Sequence, residues 1–166
     1  MYGNSAGTQY VLRYLALTDA PDIDLAIASN SGVYMVPELT SAYPIGMGGL
    51  DLKESHVRRY LGRRLILLIG RDDTDTTAPD LPRMDYAIAQ GPHRLARGQW
   101  YIEHCSQLAH QVGVPFRWKM EVVEGAGHIS SLIFSRAADL LHNCPSEPTC
   151  QSEASPWFGK TPRRVG

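Results

Sequence analysis

The stretch YGNSAG opens the chain, and its residues Gly3-Asn4-Ser5-Ala6-Gly7 fit the pattern G-x-S-x-G. A serine hydroxyl is a weak nucleophile and needs a base to take its proton. The base is usually a histidine, and a carboxylate holds that histidine in the productive tautomer. G-x-S-x-G marks a sharp turn from a strand into a helix, a nucleophile elbow that exposes the serine by straining its backbone. Gly3 and Gly7 stand where strand and helix must approach closely, and Ala6 is also small. In a chain with 15 glycines the pattern alone is weak. Two later segments add to it. RLILLIGRDDTD runs an apolar segment into a loop with Asp72, Asp73 and Asp75, and MEVVEGAGHISS runs a second into a small-residue loop ending at His128. Serine, acid and histidine in that chain order follow such an elbow. The chemistry these types could do is acyl transfer through an acyl-enzyme, which needs no cofactor.

The elements that must position these residues can be read from hydrophobic period. SAGTQYVLRYLAL has helical spacing at Val11, Leu12, Leu15 and Ala16. IDLAIAS is a short, mostly apolar strand, as expected where both faces are covered. Residues 30–51 are rich in Gly, Pro and Tyr and read as a long irregular loop. LKESHVRRYLG predicts a short helix, RLILLIG a buried strand, and RDDTDTTAPDLPR a polar loop. ARGQWYIEHCSQLAHQVG predicts a helix stopped by Gly113, PFRWKMEVVEG a strand, and ISSLIFSRAADLLHN a last helix. This alternation predicts an α/β fold: a mainly parallel sheet of about three strands with helices on both faces. Each candidate acid and the histidine then lies just past the C-terminal end of a strand, where open α/β sheets place their sites.

At these residues the chain resembles the C-terminal half of an α/β-hydrolase. It is most similar to bacterial esterase-like members of the group that includes polyhydroxyalkanoate depolymerase-type hydrolases. GNSAGTQYVLRY, LILLIGRDDTD, QGPHRLARGQ and GAGH carry the likeness, from Gly3 to about residue 142. The resemblance implies Ser5 as nucleophile, His128 as general base and the Ala6 N–H as an oxyanion donor. The family's acid lies three residues after the glycine that ends the strand, which points to Asp73, with Asp72 and Asp75 as competitors. It assigns no role to QGPHRLARGQ. It also implies a hydrolase begun at an internal residue, lacking the strand that leads into the elbow and the loop that donates a second oxyanion N–H. Such a chain is expected to turn over short-chain nitrophenyl esters poorly by itself.

The implied substrate is a small-molecule or polymeric carboxylic ester. Asn4, beside the serine, and Tyr34, Tyr43 and Met47, in the long loop, are candidates to line its pocket, with plain loop packing as the competing explanation. A non-catalytic fragment or scaffold needing a partner chain, or an amide hydrolase or acyltransferase with the same triad, are the alternatives. A 43% hydrophobic and 20% charged composition fits a globular domain, and a net charge of −1 with no basic stripe points away from nucleic acid. The longest apolar run, Leu65 to Ile69, is too short to span a bilayer. No cluster has metal-ligand spacing. His104 and His110, six residues apart, do not share a helix face and read with His56 and His93 as surface residues. Cys105 reads as a core residue, while Cys144 and Cys150 flank a loop that a disulfide could close, with two free thiols in a tail as the equal alternative. Residues 1–144 thus form the hydrolase segment, and 145–166, dominated by Pro, Ser, Gly and Arg, read as a flexible tail that includes Trp157 and Phe158.

Overall fold

In a computed structural model of the chain, which describes residues 1–20 and 22–143, each apolar run forms a parallel strand. The strands are β1 (Tyr2–Asn4), β2 (Ala26–Ser29), β3 (Leu65–Gly70) and β4 (Trp118–Val123). The helices are α1 (Ala6–Leu17), α2 (Glu54–Leu61), α3 (Asp85–Ile88), α4 (Arg94–Gln111) and α5 (Ser131–His142). The expected tail and the Cys144–Cys150 loop lie outside the described residues.

The sheet order is β1-β2-β3-β4, every pair parallel, with Tyr2 opposite Ile27, Ile27 opposite Ile66, and Ile66 opposite Lys119. Strands laid down in sequential order and joined by right-handed crossovers keep their connecting helices on one face. Residues of α1, α2 and α4 accordingly share one core with Ala26, Ala28, Leu65 and Leu67. The alternate residues Ile27 and Leu68 face the other way and pack with Ile133 and Ala137 of α5. Period-two alternation along β2 and β3 thus splits the core between the faces. Both strands are covered on each side, which is why they read as unbroken apolar runs.

The structure corrects the sequence reading at three places. The strand leading into the elbow is present as three residues: β1 pairs with β2 through Gly3–Ala28 and Asn4–Ser29. Strand β2 begins at Ala26, shorter than IDLAIAS. Helix α4 begins at Arg94, because the His93 ring accepts a hydrogen bond from the Ala96 N–H at 3.2 Å and caps it. Cys105 is buried, as expected of a core residue. Among the described residues no helix is long and apolar enough to cross a membrane.

Candidate active site

Ser5 sits between β1 and α1 with φ 54° and ψ −116°. A residue with a Cβ pays about 1–3 kcal/mol for such a conformation, so the surroundings must impose it. The Ser5 N–H donates to Ser29 O at 2.9 Å, tying the turn to β2. The buried Thr8 hydroxyl lies 2.8 Å from Gly3 O and 2.6 Å from Ser29 O, pinning the first turn of α1 to both strands. A Cβ on Gly3 would stand 2.4 Å from Gly7 O and 2.8 Å from Val11 Cγ2, so only glycine fits there. A Cβ on Gly7 would meet nothing within 4 Å, so the close approach is made by Gly3. Ala6 is exposed at the first position of α1, where backbone N–H groups have no intrahelical acceptor.

The turn after β3 carries the three aspartates in different environments. Asp73 is 3% exposed, and its Oδ2 lies 3.1 Å from His128 Nδ1. Asp72 and Asp75 are exposed. Asp75 Oδ1 accepts from both the N–H and the hydroxyl of Thr77 at 2.7 Å, which lowers its pKa. Asp75 therefore shapes its own turn, and Asp72 donates its N–H to Ala126 O at 2.9 Å.

His128 lies in the turn between β4 and α5. Its Nε2 is 3.1 Å from Ser5 Oγ, and its side chain is 18% exposed. A carboxylate only accepts, so Nδ1 carries the hydrogen toward Asp73 and Nε2 is the acceptor facing the Ser5 hydroxyl. The geometry can take a proton from the serine and return it to a leaving group.

Asn30, absent from the sequence-level candidates, fastens this arrangement. Wholly buried at the end of β2 with φ 49°, it accepts the Gly70 N–H at 3.0 Å and donates to His128 O at 2.9 Å. One amide thus joins the ends of β2 and β3 to the histidine turn. A Cβ on Gly70 would fall 2.2 Å from Ala126 O and 2.9 Å from Gly127 O, both backbone atoms that cannot rotate away. Gly70→Ala is therefore expected to destabilise the chain by about 1–3 kcal/mol, read as a lower urea midpoint at unchanged slope.

The structure gives QGPHRLARGQ its role. Gln90 brackets Tyr34, accepting its N–H at 2.9 Å and donating to its carbonyl at 2.7 Å. Arg97, one turn along α4 from Arg94, donates to the carbonyls of Gly32, Pro82 and Gly91. Arg94 is 2% exposed and lies between two carboxylates, 3.5 Å from Asp73 Oδ1 and 3.0 Å from Asp80 Oδ2. Asp80 Oδ2 is also 3.4 Å from His128 Nε2. The Arg94 guanidinium holds the Asp80 carboxyl below its usual range. Two buried arginines three apart on a core-facing helix were the available signal, because a buried guanidinium must have partners.

The pocket candidates fare differently. Tyr34 does not line a surface: it is 2% exposed, its ring stacks on Tyr101 at 4.3 Å, and burial raises its pKa. The bonds to Gln90 draw that part of the loop into the core, and Met47 is buried with it. Asn4 Oδ1 accepts from the Ser29 hydroxyl at 2.7 Å, which turns its side chain to β2. Tyr43 stays exposed in the loop, its N–H bonded to Gly48 O at 2.9 Å. His104, expected on the surface, is half-buried, stacked on Trp100 and 2.8 Å from Glu38.

An elbow after one parallel strand, with acid and histidine turns after two others, is the architecture of the α/β-hydrolases, and the chain is a partial α/β-hydrolase. Two solved structures are similar over 84% of it. One is a poly(3-hydroxybutyrate) depolymerase from Bordetella parapertussis, at 36% identity and TM-score 0.80. The other is poly(aspartic acid) hydrolase-1 from Sphingomonas sp. KT-1, at 34% identity and TM-score 0.79. The chain spans about half of each, 47% and 53% respectively. No family model and no curated relative matches.

Proposed function

We propose that this chain carries the catalytic triad of a serine hydrolase that cleaves carboxylic esters through an acyl-enzyme. The observation that carries the reading is the pair of 3.1 Å contacts at His128, one to Ser5 Oγ and one to Asp73 Oδ2. Ser5 Oγ attacks the ester carbonyl as its proton passes to His128 Nε2. Asp73 stabilises the imidazolium and keeps its orientation. The Ala6 N–H, at the positive end of α1, faces the oxyanion. Collapse breaks the carbon–oxygen bond, and Nε2 returns the proton to the departing alkoxide. Water then attacks the acyl-Ser5 with His128 again as base, the acyl–Oγ bond breaks to release the carboxylic acid, and Nε2 returns the proton to Ser5 Oγ. The likeness to a poly(3-hydroxybutyrate) depolymerase supports an ester. The likeness to a poly(aspartic acid) hydrolase favours a second reading, in which the same triad opens an amide.

The test is covalent. An alkyl fluorophosphonate should modify the chain once, at Ser5, as read by peptide mass, and 4-nitrophenyl acetate should acetylate the same residue. A chain that neither reagent modifies at Ser5 would reject the reading. Ester acetylation with no reaction on the matching anilide would separate esterase from amidase.

A further inference from the structure

We propose that Asp80 is a specificity-determining residue, whose carboxylate discriminates against esters that carry negative charge on their leaving group. The inference rests on the serine hydrolase reading and deepens it. One oxygen, Asp80 Oδ2, lies 3.0 Å from Arg94 Nη2 and 3.4 Å from His128 Nε2. Nε2 is the atom that must hand its proton to the departing alkoxide. The leaving group therefore passes through the space that Asp80 borders.

The order of charges from solvent inward decides what a substrate meets. Asp80 is 59% exposed, whereas Arg94 and Asp73 are 2% and 3% exposed. The guanidinium stands behind the outer carboxylate and is shared with the inner one. Two carboxylates face the Arg94 guanidinium, while Arg97, one turn further along α4, gives its guanidinium to backbone carbonyls. Asp72 and Asp75 add exposed carboxylates on the same loop, and exposed Arg83 acts electrostatically on Asp75.

Asp80 is also held in place. Pro79 precedes it, and the following Leu81 is buried and closes a turn with its N–H on Ala78 O at 3.1 Å. The oxygen that pairs with Arg94 is thereby kept beside Nε2. The acyl group stays on Ser5 while the alkoxide leaves past His128 Nε2, so the discrimination belongs to the leaving side of the ester.

Phenyl acetate and 4-acetoxybenzoate make the test, since both deposit the same acetyl group on Ser5 and differ in the charge of the phenol released. Acetylation is read by intact mass in a single turnover. In Asp80→Asn, which keeps an acceptor oxygen for Arg94, the rate ratio of the anionic to the neutral ester should rise about five-fold over the parent. The gain should shrink in about 1 M salt, where such a field is screened. Asp80→Ser should move the ratio in the same direction, and Asp80→Glu should leave it near the parent value. An unchanged ratio in both Asp80→Asn and Asp80→Ser overturns the inference and leaves the serine hydrolase reading intact. Failure of both esters to acetylate Ser5 in the parent overturns both.

Discussion

Ser5→Gly and Ser5→Ala are both expected to abolish acylation, and the glycine variant is expected to be the more stable of the two by about 1 kcal/mol. Loss of the nucleophile should slow the reaction with 4-nitrophenyl acetate by about 10⁴-fold or more, down to whatever the rest of the site supplies. The stability difference comes from the backbone. Ser5 is held at φ 54° and ψ −116°, which costs about 1–3 kcal/mol for a residue with a Cβ. Alanine keeps that Cβ and therefore keeps the strain. Glycine relieves it, offset by about 0.4–1 kcal/mol for the freer unfolded chain. Both variants lose the same hydroxyl and its contact with His128, so that contribution cancels between them. Urea denaturation of the two variants makes the comparison. An alanine variant as stable as the glycine variant would mean that the elbow stores no more strain than the ~0.4–1 kcal/mol that glycine loses to its freer unfolded chain. The expected order expresses a trade of stability for an exposed nucleophile.

The restraints that impose this strain are unequally visible in the sequence. Gly3, Ser5 and His128 lie in short local patterns, so residue type and order reveal them. RLILLIG is buried on both faces and declares itself by composition alone. Strand β1 has three residues, too few to show a period, and becomes a strand only because Ala28 and Ser29 of β2 lie beside it. Tyr34 lies in a stretch without periodicity, and its burial is decided by Gln90, 56 residues away, and by the Tyr101 ring. Asn30 is likewise an ordinary loop residue until the ends of β3 and β4 arrive on either side of it. Asp80 and Arg94 belong to one polar cluster only after the turn beyond β3 folds over the start of α4. Period reports which face of an element is covered. It carries no information on which polar groups from distant loops share a charge, and Asn30, Asp80 and Arg94 come together only through such groups. The pair of arginines in QGPHRLARGQ shows the partial exception, since burying them creates a demand for carboxylates and carbonyls that the rest of the fold must meet.

That demand bears on the second large effect, expected for Asp73→Asn: acylation of Ser5 slower by about 10⁴-fold, with Asp72→Asn and Asp75→Asn close to the parent. The carboxylate at position 73 only accepts, which places the imidazole hydrogen on Nδ1 and leaves Nε2, 3.1 Å from Ser5 Oγ, free to take the serine proton. An amide in its place can donate to Nδ1, which moves the ring hydrogen to Nε2. Two donors then face each other across the Ser5 contact, and the base is lost while the geometry is kept. The positive charge that develops on His128 during attack also loses the buried anion against it. Arg94 still has Asp80 at 3.0 Å, so its guanidinium remains paired and the variant should fold. The two controls follow from exposure: Asp75 spends its carboxylate on Thr77, and Asp72 contributes a backbone N–H to Ala126 that the substitution leaves alone. The measurement is the single-turnover acetylation rate of the three variants, with circular dichroism to establish that each is folded. A folded Asp73→Asn variant within about ten-fold of the parent would remove Asp73 from the triad, and a comparable loss in Asp72→Asn or Asp75→Asn would move the acid there.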